Sequence, residues 1–257
     1  SNAMAAFKDH FTPVADAYRA FRPRYPRALF RWLGEVAPAR GDALDCGCGS
    51  GQASLGLAEF FERVHAVDPG EAQIRQALRH PRVTYAVAPA EDTGLPPASV
   101  DVAIAAQAMH WFDLDRFWAE LRRVARPGAV FAAVTYGLTR VDPEVDAVVD
   151  RLYHGLLARD WPPERVHVES GYRTLPFPFP ELEAPPLEIE ERWPMDAFLG
   201  YLGTWSAVTA HRRRTGADPL AEIAPALRAA WGTPERPLRV TWPIAIRAGR
   251  ILPHAGG

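Results

Sequence analysis

The sequence predicts an α/β fold, a mostly parallel sheet covered by helices on both faces. Short apolar runs at 43–46, 63–67, 83–87, 100–105 and 129–135 alternate with helical segments, as successive βα units do. The fourth run, Val100–Ala106, is almost continuous Val, Ile and Ala, which suits a strand buried on both faces. A third observation places a site on this frame. Ala43–Ser54 reads ALDCGCGSGQAS, a strand end, a glycine turn and a helix start. Such a unit brings backbone N–H groups and a helix N-terminus to one point, fit for the polar end of a nucleotide-like cofactor.

The bulk numbers agree with a globular protein. The 257 residues are enough for one large domain, or one domain with an elaborated half. They are 48% hydrophobic and 23% charged, ordinary values for a soluble chain. A formal net charge of −2 builds no field for nucleic acid, so an RNA or DNA substrate is disfavoured. No apolar run nears the ~20 residues of a membrane span. Residues 4–20 lack the basic-then-apolar order of a signal peptide. Cys46 and Cys48 are too close to bridge easily and too few for a disulfide scaffold, so a reducing cytoplasm is expected. Ser1-Asn2-Ala3 before Met4 reads as an expression-tag remnant. Whether the chain is a monomer or a homodimer is not legible.

Taken in order, residues 4–40 form the N-terminal part. Phe7, Phe11, Val14 and Tyr18 fall at helical spacings, interrupted by Pro13. Phe21-Arg22-Pro23-Arg24-Tyr25-Pro26 is a stiff extended turn. Its Arg22 and Tyr25 either reach into a site or lead over the surface into a helix at 28–36. A core at 41–140 follows, with strands at 43–46, 63–67, 83–87, 100–105 and 129–135. Helices are expected at 53–61, 71–79 and 113–126, the last stopped by Arg126-Pro127-Gly128. Beyond Gly137 the texture changes. A helix at 143–159 precedes a proline- and aromatic-rich stretch, 160–186, read as ordered but irregular. A strand at 187–193 and helices at 195–204, 207–215 and 219–231 complete a substrate lid at 141–236. Residues 237–252 alternate as a final edge strand, paired with 187–193.

The glycine turn narrows the cofactor. A dinucleotide fingerprint would be G-x-G-x-x-G, whereas Gly47, Gly49 and Gly51 give G-x-G-x-G. The Gly-Lys-Ser/Thr end of a phosphate-binding loop is absent. Asp45 before the turn suits a zwitterionic amino-acid end. Asp68 stands after the second apolar run, where a carboxylate can accept both ribose hydroxyls; the alternative is a capping aspartate before Pro69-Gly70. Ala90 and Glu91 follow the third run, at the place for an adenine. Gln107-Ala108-Met109-His110-Trp111-Phe112 follows the fourth. Phe112 reads as packing, while His110 and Trp111 read as site-facing. Cys46, Cys48 and His65 are too thin a set for a metal, and none is expected.

Together these residues resemble the class I S-adenosylmethionine-dependent methyltransferases, in particular the type-11 group that includes the trans-aconitate methyltransferases. The resemblance rests on Tyr18 with Arg22-Pro23-Arg24-Tyr25-Pro26, the turn Leu44–Gln52, Asp68, Ala90-Glu91, the string Gln107–Phe112 and Arg126-Pro127-Gly128. Tyr201–Ala207 and Arg239–Pro243 extend it over nearly the whole chain. Cys46 departs from the small residue common there. The resemblance implies a Rossmann-like, seven-stranded sheet with an inserted helical and aromatic lid, and S-adenosylmethionine as cofactor. It implies Gly47, Cys48, Gly49 and Gly51 against the methionine part, with Asp45 by the amine. It implies Asp68 and Pro69 at the ribose, Ala90 and Glu91 at the adenine, and Tyr18 and Arg22 closing over the cofactor. Gln107 to Trp111 would floor the site, and Tyr25, His110, Trp111 and Trp205 would face the substrate. The reaction would be in-line displacement onto an acceptor such as a carboxylate, which needs no base; for other acceptors His110 is the candidate base. Two other readings stay open on the residues alone, a nicotinamide-dependent oxidoreductase and a non-catalytic binder of the same cofactor.

Overall fold

The computed structural model describes residues 22–253. The elements run α1 (Arg27–Val36), β1 (Asp42–Cys46), α2 (Gln52–Ala58), β2 (Arg63–Asp68), α3 (Glu71–Arg75), β3 (Val83–Val87), β4 (Val100–Ala106), α4 (Leu114–Val124) and β5 (Ala125–Tyr136). Then follow α5 (Pro143–Asp150), α6 (Arg165–Glu169), β6 (Glu181–Leu182), β7 (Glu188–Trp193), α7 (Met195–Leu202), α8 (Ser206–Thr215), α9 (Pro219–Trp231) and β8 (Leu238–Arg250). They divide into two compact units. One holds most of the sheet, from residues 25–138, 166–189 and 243–253; the other is mainly helical, from residues 22–24, 139–165 and 190–242.

The strand order is β3-β2-β1-β4-β5-β8-β6, with β7 also paired to β8. Strands β1 to β5 are parallel, and β8 is antiparallel to β5. The carboxyl ends of β1 to β4 therefore lie on one side, and the order reverses between β1 and β4, where open sheets bind ligands. The alternation of side chains explains the apolar runs. Val102 and Ile104 of β4, with Val130, Ala132 and Val134 of β5, pack on Leu29, Leu33, Leu57 and Phe61 of one helical layer. Ala103 and Ala105, with Phe131 and Ala133, pack on Phe117, Trp118 and Leu121 of the other.

Four expectations are corrected. The sheet has eight strands rather than seven, because the two-residue β6 is too short to read in a proline-rich stretch. The final strand is no edge, since β8 has β5 on one side and β6 and β7 on the other. The helix expected to run to 126 stops at Val124, and Arg126-Pro127-Gly128 lies inside β5. β5 starts at Ala125, opposite Val100, and a bulge with Gly128 at φ 81° carries the strand on to Val130 opposite Val102. Residues 166–189 belong with the sheet rather than with the predicted lid. Phe179 is buried edge-on to Trp118 at 5.6 Å and Phe177 stacks on Phe131 at 6.1 Å, so these rings cover α4 and the sheet face. Apolar area removed from water holds them there.

At the amino end of β1, opposite the glycine turn, lies an ion cluster. Asp42 and Asp101 are 5% and 1% exposed. Arg126 Nη1 donates to Asp42 Oδ2 at 2.9 Å and to Asp101 Oδ2 at 3.0 Å. Arg63 and His65 also meet Asp42, each at 2.9 Å from Oδ1. Burial works against ionisation of Asp42, yet hydrogen bonds from Arg63, His65 and Arg126 hold its carboxyl well below the usual range.

The helical unit has an aromatic core of its own. Trp205 lies 5.7 Å from Tyr153, 5.4 Å from Trp161 and 6.0 Å from Tyr201, ring centre to ring centre. The helix expected at 143–159 is α5 continued by a wider π-helical turn, Arg151–Leu156. At the end of α8, Arg212 pairs with Asp218 and Arg214 with Asp160, which His211 also meets at 2.9 Å. Arg214 above all holds the Asp160 carboxyl down to about 2. A carboxylate depressed on folding stabilises above its unfolded pKa of about 3.9, and that contribution is lost as pH falls through the folded value. The stability gap between the wild type and Asp160→Asn in urea unfolding should therefore be full near neutrality and shrink between about pH 4 and 2.

Candidate functional site

From Cys46 the chain turns through Gly47, Gly49 and Gly51, all in the left-handed region at φ 68°, 53° and 88°. The turn is tied to the end of β2. Cys48 N–H donates to the Val67 carbonyl at 2.9 Å, and Gly49 N–H to Asp68 Oδ2 at 3.0 Å. Asp68 Oδ1 accepts from Gly70 N–H at 2.8 Å across exposed Pro69, an Asx turn. Each carboxylate oxygen can accept two hydrogen bonds, so Asp68, half-buried, keeps acceptor capacity for two hydroxyls.

Two glycines are needed for space. A Cβ on Gly47 would lie 2.9 Å from Ala108 Cβ, where the loop after β4 comes close. One on Gly51 would lie 2.1 Å from the Tyr85 hydroxyl, itself bonded to the Leu78 carbonyl at 2.5 Å. Asp45 is 1% exposed and accepts from Ser54 Oγ at 2.6 Å, which fastens β1 to α2. Burial pushes both thiols, Cys46 and Cys48, far up, so neither serves as a nucleophile near neutral pH. Among the described residues no group of three or more His, Cys, Asp or Glu could hold a metal ion.

The other strand ends contribute in turn. After β3, Ala90 is buried and Glu91 Oε2 accepts from Asp113 N–H at 3.4 Å, at the start of α4. Beyond it, Thr93 donates from N–H and hydroxyl to Glu120 Oε2, each at 2.7 Å. After β4, Gln107 adopts φ 56°, unusual for a residue with a side chain. Its Oε1 accepts from the Thr135 hydroxyl and from Tyr136 N–H, so the carboxamide oxygen joins the tips of β4 and β5. His110 and Trp111 share one 3-10 turn, Met109–Trp111, anchored by buried Met109. Trp111 is 61% exposed. Phe112 packs on Phe117 at 4.7 Å, as expected for a core ring. Tyr25 sets its ring 6.2 Å from Tyr136.

Arg22 and Trp205 group with the helical unit, and Tyr18 lies outside the described residues. Sequence reasoning missed two residues. Gln52 opens α2, and its Oε1 is buried without a hydrogen-bond partner among the described residues. Its place directly after the last glycine was the only signal. Tyr172 meets His110 from 62 positions away, which no local pattern announces.

The site thus combines a glycine cradle, an unmatched buried acceptor at Gln52, the half-buried carboxylates of Asp68 and Glu91, and an exposed indole at Trp111. That set fits a ligand with a cationic amine, vicinal hydroxyls and an aromatic base. It therefore fits S-adenosylmethionine.

Comparison with known proteins agrees. A methyltransferase domain family model matches residues 44–133. A protein of Dictyostelium discoideum named as a methyltransferase is 31% identical over 231 residues, 88% of each chain. A Saccharomyces cerevisiae protein named as an S-adenosylmethionine-dependent methyltransferase is 30% identical over 124 residues, 45% of this chain and 43% of its own length. The crystal structure of an Anabaena variabilis protein named as a methyltransferase from an antibiotic biosynthesis pathway shares the fold, with TM-score 0.53 and 19% identity over 86% of this chain and 98% of that one. On these matches the chain belongs to the class I S-adenosylmethionine-dependent methyltransferases.

Proposed function

We propose that the chain transfers a methyl group to an oxygen of a small molecule, a carboxylate being the acceptor group. The observation that carries the cofactor half is the Asp68 clasp. One carboxylate holds the glycine turn against the end of β2 through Gly49 N–H and keeps capacity for two hydroxyls. When bound, S-adenosylmethionine supplies a methyl group already activated on a sulfonium sulfur. The protein's own task is then placement rather than activation. Gly47, Gly49 and Gly51 let the backbone approach, Gln52 and Asp45 are assigned to the amine, Asp68 to the ribose, and Ala90 and Glu91 to the adenine. From the resemblance, Tyr25 and Trp111 are assigned to the acceptor. A carboxylate is a nucleophile without a base, and His110 Nδ1 is engaged by the Tyr172 hydroxyl at 3.0 Å, which supports an acceptor needing no deprotonation.

The test has two stages. Calorimetry on cofactor-stripped protein should show S-adenosylhomocysteine binding; no binding would sink the reading. Transfer of labelled methyl to a panel of carboxylic acids should then give base-labile esters, and only base-stable products would remove the carboxylate assignment. Asp68→Ala should weaken S-adenosylhomocysteine binding by about 1–3 kcal/mol, the cost of lost charge-assisted hydrogen bonds. Unchanged affinity in that titration would take Asp68 out of the site.

A further inference from the structure

The segment after α6 is held in an uncommon shape. Gly171 and Tyr172 both have left-handed backbones, φ 65° and 66°. A tyrosine adopts that conformation only at a cost, and only where its surroundings fix it. Here they do. Tyr172 N–H donates to the His167 carbonyl at 2.8 Å. Its own carbonyl accepts from Arg247 Nη1 at 2.8 Å, and the same nitrogen reaches the Leu175 carbonyl at 2.7 Å. Arg247 Nε pairs with Glu181 at 2.8 Å, and its guanidinium lies 4.8 Å from the centre of the Phe177 ring. A Cβ at Gly171 would come 2.9 Å from Ala245 Cβ, so the preceding residue must be bare.

What this brace delivers is one phenol. Tyr172 is fully buried, its hydroxyl 3.0 Å from His110 Nδ1, with the two rings stacked at 5.8 Å and 27°. Trp111 packs against the imidazole at 4.7 Å. The cluster around Tyr172 is apolar, with Val168, Phe177 and Phe179 among its members, so shape alone would be met by phenylalanine. The hydroxyl needs another reason, and the imidazole supplies it.

We propose that Tyr172 is a positioning residue for His110, donating its O–H to Nδ1 and so fixing the neutral imidazole with its hydrogen on Nε2. The direction follows from the groups. An imidazole nitrogen lone pair is a far better acceptor than a phenol oxygen, and a phenol is the more acidic donor. Which ring nitrogen carries the hydrogen is set by what the other one meets. His110 then offers an N–H donor at Nε2 rather than a lone pair. It orients an acceptor oxygen instead of deprotonating it. This deepens the carboxylate reading above and rests on it.

The test is nitrogen NMR on the full chain, uniformly labelled, at a pH where imidazole is neutral, with the His110 signals identified by their absence in His110→Gln. Nδ1 should resonate as a lone-pair nitrogen and Nε2 as a protonated one. In Tyr172→Phe that single-tautomer signature should be lost to a mixture. A hydrogen on Nδ1 in the intact protein, or His110 signals that Tyr172→Phe leaves unchanged, would overturn the proposal. The intact protein decides the tautomer even where the variant does not fold. Calorimetry with S-adenosylhomocysteine on both proteins keeps the two readings apart. Failure of the intact chain to bind would defeat the functional assignment, while the tautomer result would stand or fall by itself.

Discussion

Replacing Arg126 by methionine is expected to lower stability by about 2–4 kcal/mol, the middle range for stripping one partner from a buried ion cluster whose cation is part-exposed. At this chain length each kcal/mol moves the midpoint by about 2–4 °C, so thermal unfolding should fall by roughly 5–15 °C. The reason lies in two carboxylates, Asp42 and Asp101, that share a single bridging nitrogen, Arg126 Nη1. Without it Asp101 keeps, among the described residues, the N–H groups of Gly41 and Asp42, at 3.1 and 3.0 Å, beside a second negative charge. Since one nitrogen makes both contacts, Arg126→Lys should cost less than Arg126→Met. The pH dependence has a definite sign. The Asp42 carboxyl is held below its ordinary value, so its contribution is present above about pH 4 and fades as pH falls. The gap between wild type and Arg126→Met in urea unfolding should narrow in acid. A gap that widens there would contradict this account. Binding of S-adenosylhomocysteine by the folded fraction should be untouched, because the cluster stands at the amino end of β1 and the cradle at its carboxyl end.

Gly51→Ala is the second large effect, and it should strike stability and binding together. At φ 88° an alanine pays about 1–2 kcal/mol for the left-handed backbone. Its Cβ would also sit 2.1 Å from the Tyr85 hydroxyl and 2.9 Å from the ring carbon that bears it, an overpacking worth a further ~1–3 kcal/mol. Tyr85 has little freedom to yield, because its hydroxyl is committed to the Leu78 carbonyl. Tyr85→Phe removes the nearer atom. The double variant should therefore be more stable than the sum of the single changes by about 1 kcal/mol or more in a double-mutant cycle. The backbone part of the cost should persist. Strict additivity would show that Tyr85 is not what Gly51 makes room for.

Much of this fold is legible in the residues alone, and the limits follow a physical line. The central strands β1, β4 and β5 were legible because they are buried on both faces, whereas β3, at the sheet edge and partly exposed, was legible from its residue types and runs over Val83–Val87. The site's frame was legible as well. A glycine turn and acids at the ends of successive apolar runs are local features, and parallel pairing collects them on one side. What escaped was decided at long range. Residues 166–189 looked like part of a lid because proline and aromatics mark irregular ordered chain without saying what it packs on. Gln107 looked like the floor of the site. Only the meeting of β4 and β5 showed its carboxamide oxygen spanning their tips. Left-handed backbone at Gln107 and Tyr172 leaves no mark in residue type, because neither residue prefers it.

Strand β8 carries a consequence for how the chain is made. β5 lies in the middle of the sheet, its residues 129–134 wholly buried, yet its partner on one side is supplied by residues 244–250, long after it in the chain. On the ribosome the five parallel strands emerge first, and β5 stands as an open rim of unpaired N–H and C=O groups while the helical segments are still being added. Only when β8 arrives is that rim closed. Synthesis halted before it would leave a sheet with a sticky border, so the nascent chain's exposure to aggregation is set by the time spent waiting for one late strand.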